Sequence, residues 1–270
     1  MVHHAKIENF LRRVAKAPLS ALLLDYDGTL APFSMDRAQA VPYEGVTTAL
    51  EKIVEAGRTR LVIITGRDAR EVGPLLGLGP PPEIWGAHGL QRLRPDGTCE
   101  MPEVPRAVKQ ALDSARDWLS YQGLQDLAEI KPGSIAVHWR NFDATEGSEL
   151  RSRILLGWFG IAQRGSLKLL EFDGGVEMRM ANLDKGDAVR TILGELGLGV
   201  PVAYLGDDAT DEHAFQVLEH RGLTVLVRPT PRRTSAKVWL KPPEDLLKFL
   251  SRWEAASAVR PKAYLAVPSQ

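Results

Sequence analysis

The chain has one cysteine, Cys99, no excess of either charge, and no apolar run long enough to cross a membrane. A lone cysteine excludes a disulfide framework within the chain and suits a reducing compartment, so a cytoplasmic protein is expected. The 34 Lys and Arg residues balance the 34 Asp and Glu residues, which removes the basic footprint a nucleic-acid partner needs. A spanning helix needs about 20 consecutive apolar residues, so no membrane partner is expected either. What remains is a chain of 270 residues, long enough for one large or two moderate domains with real cores. Its first residues set His3, His4, Lys6, Arg12 and Arg13 around Ile7, Phe10, Leu11 and Val14. That pattern is an amphipathic helix, and Glu8 breaks any transit-peptide reading.

The most informative segment is Ala21-Leu22-Leu23-Leu24-Asp25-Tyr26-Asp27-Gly28-Thr29-Leu30. An apolar run of this length reads as a buried parallel strand, and Gly28 stops it. Asp25 and Asp27 then lie at the strand-end edge where open α/β sheets keep their sites. Two acids so close call for a cation or a shared proton; the plain alternative is a turn that ends the strand.

Three later segments have similar form. Leu61 to Ile64 is a second buried run, ending in Thr65-Gly66-Arg67 before a helix start at Asp68. A hydroxyl and free backbone N–H groups at such a junction can cradle phosphate, or simply cap the helix. Asn182-Leu183-Asp184-Lys185-Gly186-Asp187 opens another helical pattern. A lysine there opposes the helix dipole, which an anionic partner would explain and a solvated side chain would also permit. Val202 to Gly206 is one more strand, followed by Asp207, Asp208, Asp211 and Glu212. Helix N-termini tolerate acids, but four together suit a hard cation with oxygen ligands.

Between the second and third segments the texture changes. Ile84 to Gly89 reads as a core strand. From about residue 90 the pattern becomes helix (105–121), hairpin (127–139 about Pro132-Gly133), helix (147–158), hairpin (167–180 about Asp173-Gly174-Gly175). The fold expected is α/β: a Rossmann-like doubly wound parallel sheet as the core, formed by residues 1–89 and 181–270, with residues 90–180 inserted as an α+β cap domain. Polar residues alternate on the cap strands: Glu129 with Lys131, His138 with Arg140, Glu177 with Arg179. They form either a polar wall for sugar hydroxyls or a solvated face with ion pairs.

The four segments, in this order, resemble the haloacid dehalogenase superfamily across nearly the whole chain. With Ala87-His88-Gly89, Glu129-x-Lys131, Ser134, His138-Trp139-Arg140 and Glu177, the resemblance narrows to the trehalose-6-phosphate phosphatases. It implies a Mg²⁺-dependent phosphatase with Asp25 as nucleophile, Asp27 as acid/base and Lys185 as phosphate partner. Asp25, Asp207 and, through its backbone carbonyl, Asp27 would hold the metal, with Asp211 behind them. Thr65, Gly66, Arg67, His88, Glu129, Lys131, His138 and Glu177 would bind the sugar phosphate. The chain departs from the family pattern at Ile130, Trp139 and Met180, which loosens the substrate. Phosphatases of sucrose 6-phosphate or mannosyl-3-phosphoglycerate, a phosphomannomutase and a non-catalytic sugar-phosphate-binding module share the core. No linker to a second catalytic domain is legible, and a free-standing monomer is expected, with a helix end and then a loose terminus from Arg252 to Gln270.

Overall fold

Uninterrupted Leu, Ile and Val runs are buried on both faces only inside a layered α/β sheet. The computed structural model describes residues 2–34, 37–172 and 174–259 and places them there. Helix α1 (Val2–Lys16) leads into β1 (Ser20–Leu24), then α2 (Val46–Glu55), β2 (Thr59–Ile64), α3 (Ala69–Leu76) and β3 (Glu83–Gly86). Short strands β4 (Gln91–Leu93) and β5 (Cys99–Glu100) follow. Next come α4 (Arg106–Tyr121), β6 (Ala128–Lys131), β7 (Ser134–His138), α5 (Ala144–Gly165), β8 (Leu167–Phe172) and β9 (Gly175–Met180). The chain ends with α6 (Lys185–Leu196), β10 (Val202–Gly206), α7 (Glu212–Leu218), β11 (Leu223–Val227), β12 (Val238–Leu240) and α8 (Glu244–Ala258).

Eight strands form the first sheet in the order β12-β11-β10-β1-β2-β3-β4-β5. All pairs from β12 to β3 are parallel, and β4 and β5 add an antiparallel edge. Alternation along the strands divides two cores. Leu22, Leu24, Leu61, Ile63 and Leu205 face α1, α2, α3 and α8, where Phe10, Leu50, Phe249 and Trp253 are buried. Ala21, Leu23, Val62, Ile64 and Tyr204 face α6 and α7. The strand order reverses between β1 and β10, a topological switch point whose carboxyl ends form a crevice.

Residues 106–180 build the second sheet, antiparallel in the order β6-β7-β9-β8. Ile135, Val137, Val176 and Met178 turn to α4 and α5 and a core containing Leu119, Ile154 and Trp158. Their alternate neighbours face the other way.

Three expectations need correction. Residues 91–100 hydrogen-bond to β3 and extend the first sheet; their runs are too short to carry a periodic signal. The strand from Ile84 stops at Gly86, because the N–H groups of Ala87 and His88 donate to the carbonyls of Arg67 and Thr65 in the loop after β2. Helix α5 also outruns the expected 147–158, started by a capping box between Asp143 and Glu146. Asp173 of the second hairpin turn and the tail beyond residue 259 lie outside the described residues. Among those described, no helix is long and apolar enough to cross a membrane.

An ion-pair cluster ties the antiparallel edge to α6. Arg92 donates to Glu83 at 2.8 Å and to both oxygens of Glu195 at 2.6 and 2.8 Å, and Arg60 joins both acids. The Arg92 hydrogen bonds, with Arg60 beside them, hold the Glu195 carboxyl down to about 2. A carboxyl depressed by folding adds stability above its unfolded value and loses it as pH falls toward the folded one. Glu195 is more than a third exposed, so Glu195→Gln is expected to cost no more than about 1 kcal/mol at neutral pH. That difference from the unsubstituted chain should disappear as pH falls from 4.5 to about 2, measured by urea denaturation.

Candidate active site

At the switch point the carboxyl ends of β1, β2 and β10 bring three of the motifs together. The Asp25 N–H donates to Leu205 O on β10 at 2.9 Å, which sets Asp25 beside Asp207. The chain then turns at once: the N–H groups of Thr29, Leu30 and Ala31 all point to Tyr26 O. Gly28 makes this possible with φ +80°, and a Cβ there would lie 2.2 Å from Asp207 Oδ2. No other residue fits both the conformation and the space.

Lys185, first residue of α6, points inward and is buried. Its Nζ donates to Asp25 Oδ1 at 2.6 Å and to Asp211 Oδ1 at 2.8 Å. The Tyr204 hydroxyl donates to the same Asp211 oxygen at 2.5 Å, and the N–H groups of Asp207 and Asp208 donate to Oδ2 at 3.0 Å. Asp211 is thus fully engaged. Asp207 is the opposite: only 2 % exposed, its carboxylate accepts no hydrogen bond from any described residue.

Burial, with Asp211 adding to it against the pull of Lys185, pushes the Asp25 carboxyl up to about 7. Burial and then Asp25 push Asp207 well above the usual range. Asp25, Asp207 and Asp211 can each offer an oxygen within 4.8 Å of the others. Because the oxygens of Asp211 are occupied, Asp25 and Asp207 are the pair with capacity for a cation. One ammonium among three buried carboxylates leaves negative charge that a hard divalent ion would balance, so the donor set fits Mg²⁺.

Asp27 is not in this cluster. Both of its oxygens accept from Arg67, Oδ2 from Nε at 2.7 Å and Oδ1 from Nη2 at 2.5 Å. Thr65 is buried and accepts the Arg67 N–H at 3.1 Å; Gly66 and Arg67, and not Thr65, line the cavity.

That cavity, about 390 Å³, lies between the two sheets. It is within the range of small-molecule sites, roughly 300–1,000 Å³. Its floor is Asp25, Asp27, Lys185 and Asp207; its roof is the polar face of the second sheet. Glu177 and Glu129 both pair with Ala136, and Arg179 and Lys131 both pair with Ser134, so these side chains share one face. Glu177 Oε1 accepts from Ser134 at 2.8 Å and Lys131 at 3.2 Å, and Glu129 contacts His138 at 2.9 Å. His88, from the core loop, reaches Glu177 Oε2 at 3.0 Å. Burial alone would raise Glu177, but the His88 contact and the charges of Lys131 and Arg179 outweigh it and hold the carboxyl well below its usual range. Burial pushes His88 down to about 4 against the pull of Glu177. The pair is therefore a neutral imidazole donating to a carboxylate.

Arg140 of the expected polar wall and Asp208 of the acidic run also line the cavity, as do Phe33, Asn141 and Phe172, which were not among the expected site residues. Arg140 stacks on Phe33, 5.0 Å from the ring centroid, joining the second sheet to the loop after β1. Phe33 sits outside any strand or helix, so no periodicity marks it.

A doubly wound sheet with acids at its switch point and an antiparallel roof is similar in fold to haloacid dehalogenase-like proteins. A solved haloacid dehalogenase-like hydrolase from B. subtilis superposes with a TM-score of 0.61 at 16% identity, covering 86% of this chain and 99% of that one. The C-terminal domain of C. albicans trehalose-6-phosphate phosphatase superposes with a TM-score of 0.78 at 19% identity, covering 92% and 96%. These likenesses concern the fold. The trehalose-phosphatase family model matches residues 23–243, and the chain belongs to that family. It is 32% identical to the trehalose-phosphate phosphatase of Mycobacterium marinum over 251 residues, 87% of this chain and 61% of that protein's length.

The imbalance of charge is testable without substrate. In the presence of a chelator, Asp207→Asn is expected to raise the melting temperature, because it removes a buried acid that folding must either leave charged without a partner or protonate. Asp211→Ala is expected to cost about 3–5 kcal/mol, because it leaves the Tyr204 hydroxyl, the N–H groups of Asp207 and Asp208 and one Lys185 donor buried without an acceptor. Thermal and urea denaturation check both signs.

Proposed function

We propose that this chain hydrolyses trehalose 6-phosphate to trehalose and phosphate, through an aspartyl-phosphate on Asp25. The observation that carries the reading is the unpaired Asp207 carboxylate beside Asp25 and Lys185, under a roof of Glu129, Lys131 and Glu177. Family membership and the named relative support the substrate.

Asp25 attacks phosphorus with a carboxylate oxygen, forming an O–P bond while the bond from phosphorus to the sugar oxygen breaks. Asp27 gives a proton to that leaving oxygen, and later takes one from the water that cleaves the acyl phosphate. Because Arg67 holds both oxygens of Asp27, the acid must leave this fork to reach the sugar oxygen. Lys185 keeps Asp25 aimed and offsets the repulsion between carboxylate and phosphate; Asp211 and Tyr204 fix the ammonium. Mg²⁺ held by Asp25, Asp207 and the Asp27 carbonyl would neutralise phosphate charge. Gly66 and Arg67 at the cavity edge, with Thr65 buried behind them, are read as the phosphate wall. His88, Glu129, Lys131, His138 and Glu177 offer donors and acceptors to sugar hydroxyls. Residues 106–180, which carry the second sheet, are read as the cap that excludes water during the first step. The lone Cys99 supports a cytoplasmic setting.

The test is phosphate release from trehalose 6-phosphate, sucrose 6-phosphate, glucose 6-phosphate and mannosyl-3-phosphoglycerate. Preference for trehalose 6-phosphate is expected, lost on chelation and restored by Mg²⁺. Asp25→Asn should lower it at least about a thousandfold, and Glu177→Gln should raise KM more than it lowers kcat. Release from another sugar phosphate would move the substrate, and release from none would favour a binding module or a mutase.

A further inference from the structure

His88 lines two cavities at once, the large one and a small one, and its Nε2 meets Glu177. The small cavity holds about 10 Å³, close to the least that accommodates one water. Ala87, Leu90, Pro132, Met180 and Leu183 wall it, and its polar side chains are His88, Ser134 and Arg179. His88 is 8 % exposed and Arg179 is 6 % exposed. His88 Nδ1 and the Nε and Nη1 groups of Arg179 find no protein hydrogen-bond partner.

The nearby acids do not satisfy Arg179. Glu177 spends its oxygens on His88, Lys131 and Ser134. Asp184 caps α6 and pairs with His213. A buried guanidinium left without an acceptor is costly, as is a buried imidazole nitrogen left without a donor.

The Glu177 carboxylate can only accept, so His88 Nε2 carries the proton of that contact and Nδ1 presents a lone pair. What stands between must accept from Arg179 and donate to Nδ1. An anion accepts from both sides and would set its charge against that lone pair. Water does both. We propose that one buried water bridges Arg179 to His88 Nδ1, bracing the imidazole in the tautomer that the Glu177 contact selects. Arg179 is then a positioning residue, acting on the sugar-binding wall through the water and His88. The consequence for sugar binding rests on the proposed function; the tautomer itself does not.

The test is ¹⁵N NMR of the histidine side chains in the full chain without substrate, the His88 signals assigned by their loss in His88→Asn. The expected result is protonated Nε2 and bare, hydrogen-bonded Nδ1 from about pH 6 to about pH 9, unchanged when gluconate replaces chloride. Arg179→Met should weaken the hydrogen bond at Nδ1 and move its ¹⁵N signal toward that of an unbonded lone pair, while Nε2 keeps its proton on Glu177. It should also raise KM for trehalose 6-phosphate about tenfold, the loss of one buried hydrogen bond, with a smaller change in kcat. A proton on Nδ1 in the unsubstituted chain, a chloride-dependent signal, or an Nδ1 signal unmoved in Arg179→Met would each overturn the proposal. The first two need no variant, so a failure of Arg179→Met to fold leaves it falsifiable. A correct tautomer in a chain that releases no phosphate from trehalose 6-phosphate would sink the substrate reading and leave the water bridge standing.

Discussion

Three buried carboxylates converge on one ammonium at the carboxyl edge of the first sheet, and the surrounding structure answers that imbalance. Lys185 spans Asp25 and Asp211, and Tyr204 with two backbone N–H groups completes the shell of Asp211. Removing water from these charges costs several kcal/mol per ion, returned only where each has partners in good geometry. Asp207 is the exception. A protein that keeps such a group retains a site for positive charge.

The same imbalance explains the local backbone. Asp25 and Asp207 must come from adjacent parallel strands, which the β1–β10 pairing provides, and the chain must leave β1 without crossing the Asp207 carboxylate, which Gly28 allows. Lys185 must enter from a helix N-terminus against the dipole. The capping box of Asp184 with Asp187 places negative charge at that terminus and offsets the cost.

The roof solves a different problem. Its charges are both signs, packed against one another and mostly shielded from solvent, so Glu129, Lys131, Ser134 and Glu177 are held in fixed positions before any ligand arrives. His88 carries this order across the cleft, since it comes from the loop after β3 and contacts Glu177 on β9. The core and roof therefore share a hydrogen bond at the wall of the cavity and a stacked pair, Arg140 on Phe33, where the loop after β1 meets the roof.

The sequence by itself determined the strands and much of the site, because those signals are local. Apolar runs ended by Asp25, Thr65 and Asp207 can be buried only as inner parallel strands, and period-two alternation puts Glu129 with Lys131 and Glu177 with Arg179 on a face. Tertiary structure alone decided what depends on partners distant in the chain. It turned both oxygens of Asp27 to Arg67, left Asp207 unpaired while saturating Asp211, gave residues 91–100 to the first sheet, and brought Phe33 under Arg140. Hydrogen-bond capacity is shared out among neighbours in space. Asp207 and Asp211 look alike as letters and differ only in which donors the packed strands and helices bring to them.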